Sequence, residues 1–480
     1  MIIALALVVG LASGDARAAS VLRATGDSLT LAAFLERVQA SHPVARQAEL
    51  ARRQAVSDLR AARGGFDPVL SATWDYKRFK GIGYYDELDT RLTVPTPWGV
   101  DLKVGWERAA GAIINPERAT PAPGLLSAGF SIPIGPRLLT DERRTTLRQA
   151  ELATDAAEAE ANVQVARLLQ QAARDWGAWF EAEARGRIAS DGVVLARFRL
   201  DAVRRRVAAG DAAPIDSVEA LAEWERRLLL EVDARAAVAG ARLVVSGYLW
   251  DARGAPVALA DGSAPERDAL LARDAVLEPA MVDRAIREHP LVRQARARWL
   301  QAEAQRRLTS VQVLPTASAE VAALAAGRSI GALPSTADIF DDVKAGVSVR
   351  LPLLARRELG RLRAAEDRAL QLRTERDRVE RDVRLVAERA LVDLRAVEAQ
   401  RDGQARVLAA TEQLLAAEQR RFEIGESSLL VVNLRERALL DERQRSAQLE
   451  ARRAAALGSL AAALGAPELL TGRDVVPARR

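Results

Sequence analysis

The sequence predicts an α+β membrane protein: long antiparallel coiled-coil helices joined to a short transmembrane β-barrel, with the whole arrangement present twice in the chain. Three observations carry that prediction. Short motifs recur in the same order in the two halves. Two proline-free helical runs of about seventy residues would each span roughly 105 Å, far beyond an ordinary globular helix. The segments that precede those runs alternate apolar with polar residues, the signature of strands that separate two environments.

Composition narrows the reading further. The chain has 480 residues, 49% of them hydrophobic, enough for several ordinary domains or one elongated one. Its 70 basic and 65 acidic side chains leave a formal charge of +5, too small and too dispersed for a nucleic-acid surface. It has no cysteine, which excludes disulfides, thiolate metal sites and cysteine nucleophiles. Only His42 and His289 are histidines, so a histidine-rich metal site is excluded. A nucleophile elbow, a P-loop and a dinucleotide fingerprint are absent from the sequence. No enzyme activity, cofactor or metal is expected.

In chain order, residues 1–18 read as an export signal, with apolar Ile2 to Leu11 followed by Ala16-Arg17-Ala18. No later stretch approaches the ~18 uncharged apolar residues of a membrane helix. A first repeat over 19–270 then predicts a helix at 28–63, with Asp27 and Ser28 as caps and Gly64-Gly65 as its stop. Strands follow over 66–134, a long helix over 138–209 stopped by Gly210, and a helix over 214–248. The second repeat, 271–480, predicts a helix at 280–313, strands over 314–351, a long helix at 354–424 and a helix at 427–464. In each repeat the two shorter helices together match the long one. Stacked end to end beside it, they would give a wall of constant height. Alanine and leucine at the apolar positions suit antiparallel coiled-coil packing.

The repetition is specific in order and spacing. His42-Pro-Val-Ala-Arg-Gln-Ala48 recurs as His289-Pro-Leu-Val-Arg-Gln-Ala295, 247 residues on, which also sets Pro68 on Pro315. Ala128-Gly-Phe-Ser131 recurs as Ala345-Gly-Val-Ser348, now 217 residues on. Arg205-Arg-Val-Ala-Ala-Gly210-Asp211 recurs as Arg420-Arg-Phe-Glu-Ile-Gly425-Glu426, 215 residues on. The two histidines, equivalent and each beside a proline, read as structural residues of helices rather than ligands. The drop from 247 to 217 places about thirty extra residues, one hairpin with its loops, between Pro68 and Ala128.

The strands have a barrel pattern. From Leu88 to Trp106 the even positions are apolar or threonine, and the odd positions carry Asp89, Arg91, Asp101 and Lys103. The Pro95-Thr-Pro-Trp-Gly99 segment folds this run into a hairpin. Nine of the twenty aromatic residues fall between Phe66 and Phe130. Among them Trp74, Tyr76, Trp98 and Trp106 are expected at membrane interfaces, where an amphipathic ring suits the headgroup zone. With four or six strands per chain, depending on whether the extra hairpin joins the sheet, one chain cannot close a barrel. Open edges in lipid would leave backbone groups unpaired, so several chains must contribute.

With these motifs in place, the chain resembles the TolC-type outer-membrane efflux family, the outer membrane factors. The resemblance rests on the duplicated helix starts ending in Pro68 and Pro315, on the passages Phe130-Ser-Ile-Pro-Ile and Val347-Ser-Val-Arg-Leu-Pro-Leu, and on Arg206-Val-Ala-Ala-Gly210 and Arg421-Phe-Glu-Ile-Gly425. It runs from about Leu29 to Gly465. It implies a homotrimer with a β-barrel in outer-membrane lipid and a helical tunnel across the periplasm. It further implies a passive exit duct of a tripartite efflux or type I secretion system, docked to a periplasmic adaptor (membrane fusion protein) and an inner-membrane pump. By the same resemblance, Gly210, Asp211, Gly425 and Glu426 form the tip turns that meet the adaptor. The family's acidic aperture residues, six and nine positions after each glycine, fall on Asp216 and Glu219 in the first repeat. In the second they fall on Val431 and Leu434, so half of the acidic pattern is missing and an apolar constriction is implied instead. The competing expectation is a soluble periplasmic coiled-coil interaction protein of adaptor-like kind, which would have no need of period-two aromatic strands.

Overall fold

The computed structural model describes residues 28–266, 279–327 and 342–471; the export signal expected over 1–18 lies outside them. The chain enters through β1 (Leu29–Thr30), which pairs in parallel with β6 (Pro265–Glu266). The helix expected to run unbroken from 28 to 63 is two helices, α1 (Leu31–Ser41) and α2 (Pro43–Arg63). Its cap is not Asp27 or Ser28 but Thr30, whose hydroxyl accepts the Ala33 N–H. The break falls at His42, held extended at ψ 138°. Proline has no N–H to continue α1 but suits the first position of a new helix. The His42 ring caps that new helix, its Nδ1 accepting the Val44 N–H at 3.2 Å. The helix expected over 280–313 divides in the same way into α5 (Pro279–Glu288) and α6 (Pro290–Gln312), with His289 Nδ1 accepting from Leu291 N–H at 3.2 Å.

The long helices are α3 (Glu142–Ala208) and α7 (Arg356–Glu423), followed by α4 (Pro214–Ser246) and α8 (Leu429–Ala463). α3 starts four residues later than expected because a 3-10 turn at Pro136–Leu138 precedes it, and Asp141 caps it by accepting the Arg144 N–H at 2.8 Å. α2 and α6 begin 247 residues apart (43 and 290), and α4 and α8 begin 215 apart (214 and 429). These are the offsets of the sequence motifs.

The helices form a row four wide. α3 packs on α2 and α4 on one side and on α6 and α8 on the other, while α7 flanks α6 and α8. Two cores lie at the levels of the two helix breaks. In the first, Leu31, Phe34, Leu35 and Val38 of α1 pack against Leu169, Trp176 and Trp179 of α3. In the second, Ile286 meets Val383 and Ala387 of α7, Leu460 of α8 and Leu464 just beyond it. Each such buried side chain is worth about 2 kcal/mol of transfer free energy. Beside the first core, small residues let α3 and α8 meet backbone to backbone: a Cβ on Gly177 would lie 2.7 Å from the Ala451 carbonyl oxygen.

Six strands form one antiparallel sheet in chain order: β2 (Val69–Phe79), β3 (Ile82–Pro95), β4 (Asp101–Ala110), β5 (Leu125–Ile134), β7 (Thr316–Ala326) and β8 (Val343–Arg350). The extra hairpin of the first half, β3–β4, therefore lies within the sheet, which has six strands among the described residues. Register carries the alternation across every strand. Leu70, Leu92, Val104, Ala128, Ala323 and Val343 form one continuous row, and residues paired across antiparallel strands share a face. Among the described residues no helix is long and apolar enough to cross a membrane.

Candidate functional site

Two regions gather the residues singled out by the sequence, and they lie at opposite ends of the helices. The first is the apolar face of the sheet. Leu70 is 74% exposed, Val347 73% and Val349 69%, on a face whose paired positions are apolar from β2 to β8. A water-facing sheet would alternate the other way or cover this face, since large exposed apolar patches mark contact with lipid or protein. The opposite face carries charge, including an ion pair from Lys103 on β4 to Glu320 on β7 at 3.1 Å.

The four aromatic residues expected at interfaces sort to two ends of this face. Trp98 is 76% exposed in the turn that joins β3 to β4, on the helix side, where neighbouring Gly99 (φ +83°) lies against Arg144 and the Leu138 carbonyl. Leu139 and Leu353, both exposed, occupy the stretches between sheet and long helices. Towards the far end, Trp74 and Tyr76 stack with ring centroids 6.1 Å apart, and the Trp74 Nε1–H donates to Asp86. Trp106 donates its Nε1–H to the Gly327 carbonyl at 3.0 Å. Each far-end indole thus has an apolar body on the sheet and a satisfied polar edge, the balance that favours a membrane interface.

The second region is the pair of tip turns. Gly210 (φ +79°) and Gly425 (φ +82°) end their helices in left-handed conformation. Both turns close alike: Asp211 N–H bonds back to the Arg206 carbonyl at 2.9 Å and Glu426 N–H to the Arg421 carbonyl at 2.8 Å. The Arg206 and Arg421 side chains reach forward to the Asp211 and Glu426 carbonyls, at 3.4 and 3.5 Å. Beyond the turns the two halves differ. Asp216, in the first turn of α4, accepts the Ala213 N–H at 3.3 Å, so its carboxylate serves the helix start as well as lining a crevice. That crevice, ≈ 360 Å³, lies between the two hairpins and is also lined by Glu219, Arg199 and Arg206. Leu434 is exposed on α8 and Val431 half-buried, so the structure brings neither into the same crevice wall.

A charged network deeper in the same region was not singled out by the sequence. Arg199 of α3, largely buried, donates to Asn433 and to Glu436 of α8. Glu223 of α4 accepts from Arg227 at 2.9 Å, from Arg226 at 2.8 Å and from Arg437 of α8. Burial pushes the Glu223 carboxyl up, but the Arg437 and Arg227 hydrogen bonds and charges outweigh it and hold it below the ordinary carboxylate range. The network ties α3 and α4 of the first half to α8 of the second. Its trace in the sequence is spacing: Arg199 and Arg206, and Asp216 and Glu223, stand seven residues apart, two helical turns on one face.

Comparison with known proteins agrees with this geometry. Residues 281–466 match the model of the outer membrane efflux protein family. The open state of the Neisseria gonorrhoeae MtrE outer membrane channel superposes with a TM-score of 0.63 at 15% identity, over 91% of this chain and 89% of that one. The outer membrane protein VceC of Vibrio cholerae gives 0.59 at 17% identity, over 91% and 96%. CusC, described through its folding and transmembrane channel formation, gives 0.61 at 17% identity, over 91% and 92%. At these identities the likeness is one of fold. No curated sequence relative matches the chain.

Proposed function

Starting from a chain that carries the outer membrane efflux protein signature in residues 281–466 and the fold of outer membrane channels over 91% of its length, we propose that it is the outer-membrane exit duct of a tripartite efflux or type I secretion system. The observation that carries the proposal is the apolar, solvent-exposed face of a sheet whose outer edges, on β2 and β8, have no partner strand among the described residues, mounted on helices about 100 Å long. In lipid that face is favourable only if the edges close, and one chain offers no closure. Three copies would join β8 of one to β2 of the next. In the same way α7, exposed along most of its length, would pack on α2 and α4 of a neighbour, closing the helical row into a tunnel.

The chain would act as a passive conduit. Energy and cargo would come from an inner-membrane pump through a periplasmic adaptor gripping the turns at Gly210, Asp211, Gly425 and Glu426. Asp216, Glu219, Val431 and Leu434 would line the aperture within. Trp98 would mark the periplasmic interface of the barrel, and Trp74, Tyr76 and Trp106 the outer one. The duplicated offsets support two repeats, 19–270 and 271–480, each supplying one hairpin of the tunnel.

The test is fractionation followed by negative-stain electron microscopy of detergent-extracted protein. The expected particles come from the outer-membrane fraction as tapered cylinders with three-fold end views. Thin rods in the soluble fraction would replace the duct with the adaptor-like interaction protein.

A further inference from the structure

Among the described residues the hairpin β3–β4 has no counterpart in the second half, where β7 pairs with β8. It lies in the middle of the first four strands, hydrogen-bonded on both sides, to β2 and to β5. We infer that this hairpin is an insert in the membrane wall: three chains close an 18-stranded barrel whose bore matches the helical tunnel below, leaving size selection to the tip. The inference rests on the duct reading.

Three features of the sheet support it. First, from Asp86 to Ala110 the insert keeps the alternation of its neighbours in step, the one register shift lying where Lys77 and Arg78 of β2 meet Tyr85 and Gly83. The row Val94, Leu102, Phe130, Val321 and Ala345 runs across five strands on the apolar face. A hairpin standing in water outside the wall would have no reason to keep an apolar face in step with β5 and β7. Second, the insert is tied to the core strands on the polar face by the Lys103–Glu320 ion pair, which passes over Gly129. Gly129 itself allows the close approach, since a Cβ there would stand 2.1 Å from the Val321 carbonyl oxygen. Third, strand direction alternates through all six strands, so β8 of one copy meets β2 of the next antiparallel, as closure requires.

Circumference then decides between wall widths. Three chains each four helices wide give a ring of twelve, roughly 110 Å around at interaxial distances near 9 Å. Eighteen strands spaced about 4.8 Å and tilted about 40° also span roughly 110 Å. Twelve strands at that tilt would reach only about two-thirds of it. With the insert in the wall, sheet and tunnel meet without a neck. The polar face that would line the bore mixes Asp89, Glu107 and Glu320 with Arg91, Lys103 and Lys344, so it favours no single cargo charge.

Because the natural chain lacks cysteine, single-cysteine variants of the full-length protein in liposomes test the inference directly. Leu92→Cys and Thr93→Cys sample the two faces of β3, and Ala128→Cys and Ser127→Cys those of β5. A water-soluble maleimide should label Thr93→Cys at least tenfold faster than Leu92→Cys, as it should Ser127→Cys relative to Ala128→Cys. Equal labelling of the β3 pair with alternation kept in β5 would overturn the insert and leave the duct standing. Loss of alternation in β5 as well would overturn both. Cryo-electron microscopy of the unmodified protein in nanodiscs gives an independent check. A barrel as wide as the helical ring supports the insert, and one narrowed to about two-thirds overturns it.

Discussion

The two tip turns are built alike, and the helices that leave them are not. At Gly210 and Gly425 the same left-handed glycine, the same backbone closure and the same arginine-to-carbonyl contact recur. One residue later the halves part. α4 starts on Pro214 with Asp216 turned back to cap it, whereas α8 follows Ser427 and Ser428, with Ser427 donating to Glu418 of α7. Shared turns with divergent helix starts are what a docking surface over a distinct inner aperture would need. The turns present one repeated shape, while the helix starts beyond them are free to differ. The network of largely buried Arg199, Glu436 and Glu223 with the more exposed Arg437 joins these unequal helices, so it is where the difference can be broken most forcefully.

The largest effect is expected there. Glu436→Ala leaves Arg199 buried with only Asn433 as partner, and breaking a buried pair this way costs about 3 to 5 kcal/mol. The expected readout, if these tips form the aperture proposed above, is a rise in single-channel conductance in planar bilayers, because α8 loses its tie to α3. An unchanged conductance would remove the network from control of the tip.

Next come the helix breaks, where equivalent histidines face unequal surroundings. His289 is 5% exposed, caps α6 and places its Nε2 3.2 Å from the Ala462 carbonyl. His42 is half-buried, packed against the Tyr248 and Trp250 rings. The His289 ring is neutral in this arrangement, Nε2–H donating and Nδ1 accepting, and burial pushes both histidines below 6.5. As the pH falls below about 6.5 the unfolded chain takes up a proton before the folded one does, so stability drops towards acid and is level above. His289→Ala should cost about 2 kcal/mol through the lost cap and the orphaned carbonyl, and His42→Ala about 1 kcal/mol. Melting followed by circular dichroism at pH 5.5 and 7.5 should show a flatter pH response in His289→Ala. An equal change in both variants would make the joints equivalent after all.

Asp216 separates capping from gating. Asp216→Asn keeps a side-chain oxygen for the Ala213 N–H but drops the charge, whereas Asp216→Lys loses the cap, worth about 1 kcal/mol, and reverses the charge. Both should still assemble as trimers by native electrophoresis. Conductance altered in both variants assigns the carboxylate to the aperture. A wild-type trace from either removes it from the gate.

Much of this architecture was legible in the sequence because it rests on local signals. Proline-free runs located the long helices, two-residue alternation located the strands, and the repeated motifs showed which segments correspond. The breaks at His42 and His289 were hidden because proline is welcome in a first helical turn, so Ala- and Arg-rich helix on both sides read as continuous. The placement of β3–β4 stayed open because alternation says that a strand has two faces but not which strand it pairs with. The tip network was missed for a similar reason. Arg199 and Glu436 are ordinary coiled-coil charges until two helices separated by more than two hundred residues bring them together.

The most local effect tests whether the turns themselves are equivalent. Gly210 and Gly425 have open space where a Cβ would stand, so alanine there meets no neighbour and its cost is confined to the backbone. For an L-residue held left-handed that is about 1 to 2 kcal/mol. Gly210→Ala and Gly425→Ala should therefore fray their tips equally, raising local hydrogen exchange at Asp211 and at Glu426 by roughly tenfold, about 1.4 kcal/mol at each site. If one tip loosens far more than the other, the likeness of the turns is superficial. The asymmetry of the two helix starts would then begin at the glycines rather than beyond them.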